Sequence, residues 1–84
     1  MTQDYEQLRL QLAANIRSMR RMKNLTQEQL ALMAEVDRTY VSQIERGVGN
    51  PSLLVLCKLA SIFEIKAHQL LIESNAPART LIIE

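Results

Sequence analysis

From Tyr5 to Lys23, Leu8, Leu12, Ile16 and Met19 recur at spacings of four, four and three, which puts them on one face of a helix. Asn24 follows, a residue that tolerates the left-handed conformation closing a helix. LTQEQLALMA then predicts a second helix. Thr26 and Gln29 form a capping-box pattern, Leu25 can staple onto Leu30, and Leu30, Ala31 and Ala34 give the inward face. Asp37 is placed to cap a third helix beginning at Arg38, with Val41 and Ile44 inward and Gly47 at its end. GNPS reads as a loop in which Ser52 caps a fourth helix, LLVLCKLASIF. Ala67 to Glu73 predicts a short fifth helix, and the tail SNAPARTLIIE begins polar and ends with aliphatics, the one place where a strand could form. The pattern is all-α with five helices: a domain over residues 1–75 and a C-terminal tail over 76–84.

The third helix is the anomaly. DRTYVSQIERG offers only Val41 and Ile44 to hold it down, and fills its other positions with polar groups. The few residues between the second and third helices set them at the steep angle of a helix-turn-helix. There the second helix of the pair enters the major groove of DNA and presents its N-terminal residues to base edges. Arg38, Thr39, Ser42 and Gln43 are then polar because bases and phosphates are their partners.

Composition narrows the alternatives. At 84 residues the chain is one domain at most. The formal net charge of +1 says little, but Arg9, Arg17, Arg20, Arg21 and Lys23 cluster with no acid among them, the footprint of a polyanion partner. MTQDYEQL lacks the basic and apolar regions of a signal peptide, and no apolar run reaches 18 residues, so neither secretion nor a membrane span is expected. The single cysteine, Cys57, fits a reducing cytoplasm and reads as core filling. His68 is a lone surface histidine without a metal-ligand neighbour, and no spacing suggests a catalytic triad. No enzyme activity, metal, cofactor or small-molecule ligand is expected.

TQEQLALMAEVDRTYVSQIERGVGNPSLLVLCKLASIF resembles the helix-turn-helix domain of the phage repressor and Cro (XRE-like) family, over roughly residues 9–71. Within it, DRTYVSQIERG is similar to the controller proteins of restriction–modification systems, small dimers that regulate their own gene and the endonuclease gene. The resemblance implies base contacts by Arg38, Thr39 and Gln43, and backbone contacts by Gln27, Tyr40, Ser42, Arg46 and Asn50. It also implies a structural salt bridge between Arg20 and Glu45. Glu35 and Glu64 stand where the family usually has glycine, which either costs on the order of 1–2 kcal/mol at each site that keeps a positive φ or alters the local turn and slightly re-aims the third helix. A phage-type repressor or an antitoxin regulator is the neighbouring reading; a protein-interaction module that ignores DNA is the reading from another class.

A second copy of the chain is expected as a partner, because the fourth helix is apolar nearly all round. Leu53, Leu56, Cys57 and Ala60 can face the domain's own core, which leaves Leu54 and Val55 for a two-fold interface, joined by Leu71 or Ile72. Such a dimer would set two recognition helices about 34–36 Å apart on a palindromic site in double-stranded DNA.

Overall fold

In the computed structural model, which describes residues 2–73, four α-helices and one 3₁₀ turn follow in order: α1 (Thr2–Met22), α2 (Gln27–Ala34), α3 (Arg38–Glu45), α4 (Leu53–Phe63) and the 3₁₀ turn Ala67–Leu70. The expected tail, with Leu81, Ile82 and Ile83, lies outside the described residues.

Local signals start and stop most of these elements. Asn24 closes α1 at φ 58°. At the start of α2, the Thr26 hydroxyl accepts the Gln29 N–H at 3.0 Å and the Gln29 side chain accepts the Thr26 N–H at 2.8 Å, so both halves of the capping box form. Ser52 caps α4, its hydroxyl accepting the Val55 N–H at 3.2 Å. Asp37 holds the cap position of α3 with an extended backbone, but its side chain makes no cap bond; its carbonyl accepts from Tyr40 and Val41 instead.

The core is one cluster. Leu12 and Ile16 of α1, Leu30, Ala31 and Ala34 of α2, Val41 and Ile44 of α3, and Leu59 and Phe63 of α4 are buried together, with Leu70 closing one end. Leu8, on the expected inward face of α1, lies beyond this cluster and is exposed.

Three expectations need correction. The fifth helix is a single 3₁₀ turn: the buried Asn15 of α1 donates its Nδ2 to the carbonyls of Leu70 at 2.7 Å and Ile72 at 2.9 Å. Those carbonyls are turned toward α1 and not along a helix axis. On α4 the buried stripe is Val55, Leu56, Leu59, Ala60 and Phe63, rotated from the expected one. Val55, expected at a dimer interface, is only 7% exposed, while Leu53, expected inside, is 77% exposed and Leu54 is 65% exposed. Cys57 is exposed and fills no core. The reason is helical phase: Leu54, Cys57, Lys58 and Ser61 recur at i, i+3, i+4 and i+7, so the two polar members carry the other two to the surface.

Candidate nucleic-acid interface

The α2–turn–α3 unit is built so that the outer side of α3 is left open. Val41, Ile44 and Glu45 are its buried residues, which turns Thr39, Ser42, Gln43 and Arg46 outward at spacings of three and four, with Arg38 exposed at the N-terminal end. Ser42 is half-buried among them and the others are exposed. Arg38 also lines an open notch of about 560 Å³ with Arg20, Thr26, Gln27 and Glu28, between the N-termini of α2 and α3.

The turn that sets the angle of α3 depends on Glu35. It sits in the left-handed region, φ 61° and ψ 45°, and its N–H reaches the Ala31 and Leu32 carbonyls. The Val36 N–H returns to the Ala31 carbonyl at 3.0 Å, which completes a Schellman-type cap. Glu64 repeats this after α4 at φ 61° and ψ 41°, with the Ile65 N–H on the Ala60 carbonyl at 3.0 Å. Both positions therefore keep the glycine-type geometry, and α3 is not re-aimed by an altered turn.

The other end of α3 is fixed by charge. The Glu45 carboxylate, with 3% of its side chain exposed, accepts from Arg20 Nε at 2.6 Å and Nη2 at 3.1 Å, and from Gln27 Nε2 at 3.0 Å. Arg20 donates its Nη1 to the Leu25 carbonyl at 2.8 Å, and Arg17 donates to the backbone carbonyl of Glu45. Three segments meet at this one carboxylate, α1, the first turn of α2 and the end of α3, and Arg20 ties in the loop before α2 through the Leu25 carbonyl. Burial pushes the Glu45 carboxyl upward in pKa. The hydrogen bonds from Arg20 and Gln27 and the charges of Arg20 and Arg17 outweigh that, and the net shift is downward. The Glu45 hydrogen bond raises Arg20, against an opposing effect of burial. Glu45 thus stays ionised and is neutralised locally.

The loop after α3 is tied to the same scaffold. Gly47 lies at φ 76°, and a side chain there would meet Leu10 Cδ2 at 3.1 Å. Gly49 approaches α3 so closely that a Cβ would stand 3.2 Å from the Ile44 nitrogen. Val48 and Gly49 both donate to the Gln43 carbonyl at 3.1 Å, which sets exposed Asn50 beside the end of the helix. Tyr40 is half-buried against the core, and its hydroxyl oxygen accepts the Ser52 N–H at 3.3 Å, so only its proton is free to reach outward.

The basic cluster of α1 is not one surface. Arg20 and Arg17 are committed to Glu45, and Arg9 lies over the Tyr5 ring at 4.8 Å from its centroid. Arg21 and Lys23 alone of the five are fully exposed. Two supporting residues were not given that role by the sequence: Arg17, read only as part of the basic cluster, and Asn15. Asn15 had a readable signal: it interrupts the apolar stripe of Leu12, Ile16 and Met19 at core spacing, where a polar residue must have a partner.

The helix-turn-helix (HTH_3) family profile matches residues 16–70, which takes in α2, the turn and α3 whole. The chain belongs to the helix-turn-helix family. With that membership comes the class: a regulator and not an enzyme. The Neisseria hypothetical transcription factor of Neisseria meningitidis serogroup B is 42% identical over 69 residues, 82% of this chain and 65% of that protein's own length. The control protein C.SmaI of Serratia marcescens is 42% identical over 60 residues, 71% of each chain. Among solved structures, the restriction-modification controller protein C.AhdI from Aeromonas hydrophila matches with a TM-score of 0.70 at 37% identity, over 74% of this chain and 94% of that one. No helix among the described residues is long and apolar enough to cross a membrane.

Proposed function

We propose that the chain regulates transcription in the cytoplasm by binding a palindromic site in double-stranded DNA as a homodimer, in the role of a restriction–modification controller. The observation that carries this reading is the outward face of α3, exposed and polar on a helix locked at both ends. Arg38 is the residue for a bidentate contact to guanine, Thr39 for a thymine methyl or base edge, and Gln43 for adenine. Arg46, Asn50, Ser42 and the free proton of Tyr40 suit phosphates, which position the protein without specifying sequence. Gln27 spends one amide proton on Glu45; its other proton and the backbone N–H at the start of α2 suit a phosphate as well. Residues 1–75 form the DNA-binding domain in this reading, with 76–84 as its tail.

For the dimer, Leu54 and Ile72 (52% exposed) supply apolar surface, with half-buried Leu71 beside them; Val55 is withdrawn because it is buried. The controller role draws on the likeness to C.SmaI and C.AhdI, a control protein and a restriction-modification controller protein. A methyltransferase and an endonuclease gene beside this one fit a controller, whereas a toxin gene fits an antitoxin.

Selection of bound duplexes from random sequence tests the reading, followed by affinity against salt. A palindromic consensus and a log–log slope of several times −0.9 are expected, one such increment per neutralised phosphate. Affinity that barely changes with salt, and no enriched duplex, would favour a protein-interaction module instead.

A further inference from the structure

An apolar groove of about 360 Å³ runs between the C-terminal half of α1 and the end of α4, lined by none of the residues assigned to DNA. Met19, Met22, Phe63 and Ile65 line it, together with the buried Asn15 and the exposed Lys23. Asn15 is 1% exposed, and while its Nδ2 is bound to Leu70 and Ile72, its Oδ1 has no partner among the described residues. A buried amide oxygen left open is uncommon, and here it asks for a donor such as a backbone N–H. Met22 is mostly exposed on the groove's edge, and Lys23 forms no ion pair among the described residues.

We infer that this groove is the docking site of the chain's own C-terminal segment Leu81–Ile83. Three observations select that occupant over a foreign one. The described chain ends at Glu73, which lies with Gln11 and Ala14 of α1 and follows the Ile72 carbonyl that Asn15 holds, so the segment starts on the same helix that walls the groove. Leu81 lies eight residues beyond Glu73, a reach of about 26 Å when extended, whereas Asn15 to Met22 spans about 10 Å of helix. The polar stretch SNAPART serves as the connection, so docking is intramolecular and favoured by a high effective concentration. The aliphatic triplet matches the methionine, phenylalanine and isoleucine lining in chemistry, a backbone N–H is the donor that Asn15 Oδ1 lacks, and Glu84 adds a charge opposite to that of Lys23.

The test uses the full chain with labelled methyl groups in methionine, leucine and isoleucine. Nuclear Overhauser cross-peaks are expected between the Met19 and Met22 methyls and those of Leu81, Ile82 or Ile83. They should vanish in the double variant L81D/I83D, with the Met22 methyl shifting and the rest of the spectrum unchanged, since the folded core does not depend on these positions. A full chain without such cross-peaks overturns the assignment. So does a mixed sample of differently labelled chains in which the cross-peaks arise only between copies, because the groove would then belong to a partner's tail.

Discussion

The recognition unit of α2 and α3 and the C-terminal third made of α4 and the 3₁₀ turn are similar in length but differ in how their residues declare their faces. In α3, Val41 and Ile44 stand alone among polar residues, so the inward side is unambiguous and the structure buries those two with Glu45. In α4, eight of eleven residues are aliphatic, aromatic or alanine, and nearly any stripe looks fit for a core. Amphipathicity carries orientation, and a helix without it must be phased by its few polar members. Lys58 and Ser61 were those members: they place Cys57 and Leu54 outside and Val55 inside.

The two regions also use different forces. The recognition helix is anchored by a directional network on Glu45, whose geometry fixes its angle. The C-terminal third is held by non-directional burial of Leu59, Phe63 and Leu70, helped by the single amide of Asn15. A directional anchor suits a helix that has to present side chains at a set distance from DNA. Burial alone suits a helix whose outer side is proposed to meet a second apolar surface.

The largest test of this contrast removes the anchor. Glu45→Ala should lower stability by about 3–5 kcal/mol, because Arg20, with 13% of its side chain exposed, is left as a partly buried charge without its partner. Urea denaturation reads this directly, and an unchanged midpoint would refute the anchoring role. The pH dependence has a definite sign. Glu45 has a depressed folded pKa, so its contribution is fully present above the unfolded value of about 4.3. It is lost as pH falls through the lower folded value. Wild type should therefore lose stability below about pH 4 more steeply than Glu45→Gln, which lacks the titrating group.

On the apolar side, Leu54→Glu should leave the fold intact and weaken self-association at least tenfold, about 1.4 kcal/mol. Sedimentation at micromolar concentration checks it. A monomeric wild type would remove the interface, and a mutant that remains dimeric would move it toward Leu53 or elsewhere.

Within the recognition unit, Arg38→Ala should cost about 1–3 kcal/mol on the selected sequence and almost nothing on random DNA. Arg46→Ala should weaken both alike and reduce the salt slope by about one unit. Competition binding at two salt concentrations separates them. If the two variants behave identically, α3 does not divide into a reading end and a gripping end.

Much of this architecture was legible in the residues. The capping box of Thr26 and Gln29, the cap at Ser52 and the helix ends at Asn24 and Gly47 are local, with partners within a few positions, so spacing alone exposes them. What was not legible is non-local. Arg17 reaches a carbonyl 28 residues away and Asn15 one 55 residues away, and no periodicity announces either partner. The same holds for the fifth helix: AHQLLIE has helical composition, but the Leu70 and Ile72 carbonyls are bonded to an asparagine in α1. In the candidate interface, the outward residues of α3 follow from its own pattern. The Arg20–Glu45 pairing was reachable only through family resemblance, because one partner lies in a row of arginines that all look alike.

The smallest predicted effect is the sharpest comparison, because the same strained backbone occurs once in each region. Glu35 and Glu64 both adopt φ 61° as the residue after a helix, with their N–H groups bonded in the same pattern. A left-handed conformation costs a residue with a Cβ about 1–2 kcal/mol, and replacement by glycine recovers this less about 0.4–1 kcal/mol for the extra freedom of the unfolded chain. Glu64→Gly and Glu35→Gly should therefore each stabilise by about 0.5–1 kcal/mol, a rise in Tm of a few degrees for a domain of this size. Neither carboxylate makes a hydrogen bond or ion pair among the described residues, so no lost contact reduces the gain further. DNA affinity separates the two sites. Glu64→Gly leaves it unchanged, while Glu35→Gly removes a negative charge from the unit that meets phosphate and should tighten binding two- to three-fold at low salt, about 0.5 kcal/mol. Equal affinities for both variants would show that the turn of the helix-turn-helix lies too far from the DNA backbone for its charge to be felt.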